Sequence, residues 1–198
     1  MPSDPGEPSP RQALGHAEAP ASPQRRALLQ RTIGLGLLGA GGLLAPGARA
    51  VALAVGQIAP PLVLNALDGS RIATRELLEQ VVIVTFWATW CAPCREELPL
   101  LSDYAASHAQ EGLRVLGFSL DGPDNLQQVR VAAAKLSFPV GLLGSPWAGG
   151  YGRIWRIPVS FVIDRAGRLA HDGWDDARPA WTRERLDRVV TPMLQHSA

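Results

Sequence analysis

The sequence predicts an α/β domain: one sheet whose faces are covered by helices. Three observations carry that reading. Val81-Val82-Ile83-Val84-Thr85-Phe86 is an unbroken apolar run rich in β-branched residues, the pattern of a strand buried on both faces. Segments with strand and helix patterns alternate after it. Residues 51–198 also hold all six Trp, both Tyr and all four Phe of the 198-residue chain, enough to fill a core.

The elements follow in order. Residues 62–66 and 71–73 flank Asp68-Gly69-Ser70 and predict a short hairpin with a glycine turn. A brief helical turn is expected at Leu77 and Leu78, then the 81–86 strand. A helix over 94–108 places Leu98, Leu101 and Tyr104 on one face, and Pro99 predicts a kink in it. A second buried strand is expected over 113–120. Leu126, Val129 and Ala133 give a helix over 124–136, and 140–143 reads as an edge strand. A strand over 159–163, a turn at Ala166-Gly167, a strand over 169–171 and a closing helix over 181–195 complete the domain.

The first fifty residues have a different composition, rich in Pro, Gly, Ala and Arg. Arg25-Arg26 precedes two leucines, residues 32–44 are apolar but interrupted by five glycines, and Ala48-Arg49-Ala50 offers small residues at signal-peptidase spacing. The apolar stretch falls short of the ~20 residues that span a bilayer. The expectation is a signal peptide of the twin-arginine type over 1–50, with a second possible cut at Ala52-Leu53-Ala54, and a folded domain over 51–198. The domain is then periplasmic, held at the inner membrane only if the N-terminal segment is retained.

Charge excludes one class. From residue 51 onward 14 basic residues stand against 15 acidic ones, with a single Lys, Lys135, so no basic face is available for nucleic acid. The chain's two cysteines, Cys91 and Cys94, lie three positions apart. A crosslink so short removes little chain entropy, which argues against a structural role. At the junction of strand and helix, Cys91 meets unpaired N–H groups and a partial positive charge, which favour its thiolate. Cys94, one turn in, is expected to be the more buried and to resolve a mixed disulfide on Cys91. Pro93 suits the first helical turn, where its missing N–H costs nothing. Trp90 is expected to line the surface around the thiol.

Phe86-Trp87-Ala88-Thr89-Trp90-Cys91-Ala92-Pro93-Cys94, with Arg95-Glu96-Glu97-Leu98-Pro99 after it, resembles the thioredoxin superfamily, and within it the TlpA/ResA-like branch of exported thiol-disulfide oxidoreductases. Ile157-Pro158-Val159-Ser160-Phe161-Val162-Ile163-Asp164 resembles the second motif of that family. The resemblance implies a thioredoxin-like fold with an added N-terminal hairpin and a central helix–strand insertion. It implies a cis bond before Pro158, with Pro158 facing the cysteines and Ile157 offering its backbone to substrate, beside Trp90, Ala92 and Pro93. Thr85 stands where thioredoxin buries an Asp, and Glu97 stands where this branch keeps a functional glutamate. A carboxylate there could take the Cys94 proton; the alternative is a solvated surface residue like Glu96. No cofactor is implied. The partners implied are disulfide-bearing exported proteins, of the cytochrome c or copper-oxidase assembly kind, and a membrane thiol donor.

Other classes fit less well. A copper chaperone of this fold uses a longer cysteine spacing and a histidine, and His108 and His171 lack metal-ligand spacing. A peroxide-reducing enzyme places a lone Cys after Pro-x-x-x-Thr, which is absent. A strong oxidant usually carries His between its cysteines, whereas Ala92-Pro93 does not, which favours reduction. Trp87, Trp155 and Trp174 read as packing residues, and Asp164 as a strand-end turn residue.

Overall fold

The computed structural model of the protein describes residues 53–195, so the expected signal segment over 1–50 lies outside the described residues. Seven strands are present among them: β1 (Val63–Asn65), β2 (Arg71–Ala73), β3 (Val81–Trp87), β4 (Leu113–Ser119), β5 (Val140–Leu142), β6 (Val159–Ile163) and β7 (Leu169–His171). Four α-helices accompany them: α1 (Ala92–Ser107), α2 (Leu126–Ala133), α3 (Arg183–Val189) and α4 (Thr191–Gln195). β3 to β7 form one sheet in the order β5-β4-β3-β6-β7. β3 pairs in parallel with β4 and antiparallel with β6, so it is central, and β5 is an edge.

Every residue of β3 is buried, and its side chains divide by parity, as a pleated strand requires. Val81, Ile83 and Trp87 join one core with Leu98, Leu101 and Tyr104 of α1, Val129 of α2, and Leu186 and Leu194 from the C-terminal helices. Val82, Val84 and Phe86 join the other, with Leu64 of β1 and an aromatic group. In that group the ring centroids of Phe86 and Phe118 lie 5.4 Å apart and those of Tyr151 and Phe161 4.8 Å apart.

β1 and β2 form the expected N-terminal hairpin as a separate two-stranded sheet. Asp68 shapes its turn by accepting from the Ser70 N–H at 2.8 Å. The hairpin is fastened to the edge strand, where the Leu67 N–H donates to the Val140 carbonyl at 2.8 Å. Gly141 makes this approach possible: a Cβ there would sit 2.2 Å from the Asn65 carbonyl oxygen. The α2–β5 segment is the expected central insertion.

Three local expectations need correction. The turn before β3 is a 3-10 turn over Thr74–Glu76 rather than at Leu77-Leu78. α2 starts at Leu126, after a 3-10 turn over Pro123–Asn125. The closing segment is two helices: Thr182 caps the start of α3 by accepting from the Arg185 N–H, and helical structure breaks at Val190 before α4 begins at Thr191 with Pro192 in its first turn. α1 continues through Pro99 as a single helix of 16 residues.

Candidate active site at the head of α1

β3 ends at Trp87, and a tight turn, closed by the Cys91 N–H donating to the Ala88 carbonyl at 3.1 Å, delivers the chain to α1. Cys91 is the N-cap of that helix. Its extended backbone turns the sulfur back over the first turn, where the Cys94 N–H donates to Cys91 Sγ at 3.2 Å. The two cysteines are joined as a disulfide. Cys91 is 6% exposed and Cys94 0%, the ordering expected from the sequence, and Ala92 and Pro93 between them face solvent. A sulfur at a helix N-terminus with an N–H aimed at it is a site where a thiolate is stabilised.

Glu97 lies one turn after Cys94 and is 3% exposed, so it is not a solvated surface residue like the exposed Glu96. Its Oε2 accepts from the Trp181 N–H at 2.9 Å. Burial raises the Glu97 carboxyl from 4.5 to about 7, against the Trp181 N–H and the positive charge of Arg185, which both favour the carboxylate. Arg185 is itself held in place: its guanidinium lies 4.5 Å over the Trp181 ring, pairs with Asp176, and donates to the Arg178 carbonyl at 2.7 Å. From β3, Thr85 presents only a hydroxyl, which accepts from Ser160 Oγ at 2.9 Å.

The Ile157–Pro158 peptide bond is cis. Pro158 is buried, and the half-buried Ile157 packs against the core that contains both cysteines. Two aromatic residues stand out into solvent nearby in sequence, Trp90 at 63% exposure and Trp155 at 69%. Trp155 stacks on Trp174 with centroids 5.6 Å apart, while Trp87 is fully buried. The remaining polar candidates have local partners. His108 Nδ1 bonds the Tyr104 carbonyl, His171 Nε2 bonds Asp176, and Asp164 Oδ1 accepts from the Ala166 and Arg168 N–H groups. Among the described residues no cluster of His, Cys, Asp and Glu could hold a metal ion.

One residue of this region escaped the sequence reading. Asp121, just past β4, is 3% exposed and bonds both the N–H and the hydroxyl of Thr89, in the turn that carries Cys91. The only sequence signal was Ser119-Leu120-Asp121 at the end of a buried strand, an unusual place for a carboxylate.

Residues 55–172 match the AhpC/TSA family. The chain belongs to that family. Within the range of proteins similar to this AhpC/TSA member is a thiol-disulfide oxidoreductase ResA of Bacillus thuringiensis (strain Al Hakam), 31% identical over 116 residues, covering 58% of this chain and 66% of the relative. The chain thus spans just under two thirds of that relative's length. A ResA of Bacillus thuringiensis subsp. konkukian is 28% identical over 142 residues, covering 70% and 79%. Among solved structures, a thiol:disulfide interchange protein DsbE of Chlorobium tepidum superposes with a TM-score of 0.61 at 25% identity, covering 72% of this chain and 99% of that one. The fold is thioredoxin-like, and the chemistry its Cys91–Cys94 pair can perform is thiol–disulfide exchange.

Proposed function

We propose that the protein is an exported thiol-disulfide oxidoreductase that reduces disulfides in partner proteins. The observation that carries this reading is the Cys91 sulfur at the cap of α1, bonded by the Cys94 N–H, with a buried carboxyl one turn further on. In the reduced protein the Cys91 thiolate attacks a substrate disulfide. That S–S bond breaks, one substrate sulfur leaves as a thiolate, and a mixed disulfide forms on Cys91. Cys94 gives its proton to the Glu97 carboxylate and attacks Cys91 Sγ, releasing the second substrate thiolate. Two electrons pass to the substrate and the Cys91–Cys94 disulfide remains. A thiol donor at the membrane returns it to the dithiol. Substrate contacts fall to Trp90, Ala92 and Pro93 on one side and to Ile157 and Pro158 on the other.

Direction is tested by the reduction potential of the Cys91–Cys94 pair, equilibrated against thiol buffers. A value nearer about −270 mV than about −120 mV supports reduction, and one above about −180 mV makes the protein an oxidant or isomerase. Export is tested by replacing Arg25 and Arg26 with Lys. Precursor retained in the cytosol supports a twin-arginine signal and a periplasmic site of action; unchanged export removes that assignment. Cytochrome c and copper-site cysteines are the substrate classes to assay first. Among the described residues no helix is long and apolar enough to cross a membrane.

A further inference from the structure

The turn of residues 88–91 closes on itself through one bond, from the Cys91 N–H to the Ala88 carbonyl. Thr89 is the residue by which the rest of the protein grips it. The Thr89 N–H donates to Asp121 Oδ2 at 2.8 Å, its hydroxyl donates to Asp121 Oδ1 at 2.6 Å, and its carbonyl accepts from Arg95 Nη1 at 2.8 Å. Asp121 is fixed in turn by Ser119, whose hydroxyl donates to Oδ2 at 2.6 Å while its oxygen accepts the Asp121 N–H at 3.0 Å. A carboxylate is costly to bury and is retained where it collects charge-assisted hydrogen bonds. Here all three side-chain bonds run to the cysteine-bearing turn or to the strand end below it. The two carboxylate oxygens hold the N–H and the hydroxyl of the same threonine, one each.

We propose that Asp121 is a positioning residue for Cys91: through Thr89 it fixes the turn so that the Cys91 sulfur stays at the cap of α1, within reach of the Cys94 N–H. The inference rests on the oxidoreductase reading above. If Thr89 is released, Trp90 and Cys91 gain freedom, the sulfur loses its fixed donor, and the thiol moves back toward ordinary acidity, about 8.5. Charge alone acts in the opposite sense. Removing the negative Asp121 would favour the thiolate, while Arg95 and Glu97 on α1 are unchanged by the substitution. The two effects are therefore separable by sign.

The test uses the full chain in a Cys94→Ser background, where Cys91 is the only thiol, and follows iodoacetamide alkylation against pH. Thr89→Val removes one hydroxyl and no charge; Asp121→Asn removes the charge and one acceptor. Thermal melts establish that each variant is folded. The expected result is a rise in the apparent Cys91 pKa for both, with alkylation at pH 7 slowed roughly tenfold per unit of rise and rates converging at high pH. If Asp121→Asn does not fold, Thr89→Val decides alone. An unchanged Cys91 profile in folded variants, or a fall in pKa confined to Asp121→Asn, overturns the proposal. A starting protein whose Cys91 already titrates near 8.5 and exchanges with no small disulfide would sink the oxidoreductase reading instead.

Discussion

The backbone N–H of Trp181 donates to Oε2 of Glu97 at 2.9 Å, across 84 positions of sequence. The segment leading into α3 thus covers the carboxyl one helical turn after Cys94, and that cover has measurable consequences.

The first is for stability. The folded protein holds the Glu97 proton up to about pH 7, whereas the unfolded chain releases it near 4.5. Between those values the folded state binds more protons, so Glu97 contributes stability that is fully present below about 4.5 and lost as pH rises through about 7. The loss amounts to roughly 3 kcal/mol. Glu97→Gln keeps an oxygen for the Trp181 N–H and cannot ionise, so urea unfolding between pH 4.5 and 8 should lose this slope. An identical slope in the variant would assign the titration to another group.

In the proposed mechanism Glu97 takes the Cys94 proton during resolution. With its carboxyl near neutrality it can take a proton from Cys94 and give it up again, so Glu97→Gln should slow resolution on the order of 100-fold and leave long-lived mixed disulfides. Glu96→Gln, on the exposed side of the helix, should change little. Stopped-flow assays with a small disulfide compare the two; equal rates for Glu97→Gln and the unsubstituted protein would remove Glu97 from the mechanism.

The two thiols should divide their roles. Cys94→Ser should accumulate substrate bound to Cys91 as a mixed disulfide, and Cys91→Ser should accumulate none, as read by non-reducing electrophoresis. The reverse pattern would make Cys94 the attacking thiol.

Arg185 provides an independent handle on the same carboxyl. Its charge favours ionised Glu97, so Arg185→Gln should move the pH midpoint of resolution upward. The variant should also lose about 2 kcal/mol, short of the full cost of stripping a buried pair because His171 still faces Asp176. A downward midpoint would mean that loosening around Trp181 and the water it admits outweigh the lost charge.

The hairpin offers a test of packing alone. Gly141→Ala drives a methyl into the Asn65 carbonyl, so the hairpin must lift from β5 at a cost of about 1–3 kcal/mol. Denaturant unfolding reads it directly, and an unaffected midpoint would show that the hairpin contributes nothing to the sheet it covers.

What was legible in the sequence was local. The two-sided burial of β3 is written in its β-branched run, and the strand–Cys91–helix junction in the motif that follows. The cis bond before Pro158 came from a family resemblance rather than from the residues themselves. The break at Val190 was hidden because 181–195 carries helical spacing throughout, and only Pro192, which has no N–H to continue the ladder, marks the division. The burial of Glu97 was ambiguous beside Glu96, since the group that covers it arrives from the other end of the domain. Asp121 was missed for the same reason: its bonds to Thr89 span 32 positions, beyond the reach of any spacing rule.

The distance along the chain between Glu97 and Trp181 also sets an order of events during synthesis. Cys91 and Cys94 are neighbours in sequence, so both thiols are in place when only the first part of the domain has been made. The lid over Glu97 is translated 84 residues later, together with Arg185. A polypeptide stopped at residue 172, where the family match ends, would carry both cysteines and Pro158, yet its glutamate would meet water and titrate as an ordinary carboxylate. The two thiols come early in this protein, and the cover that raises the Glu97 carboxyl is the last part to arrive.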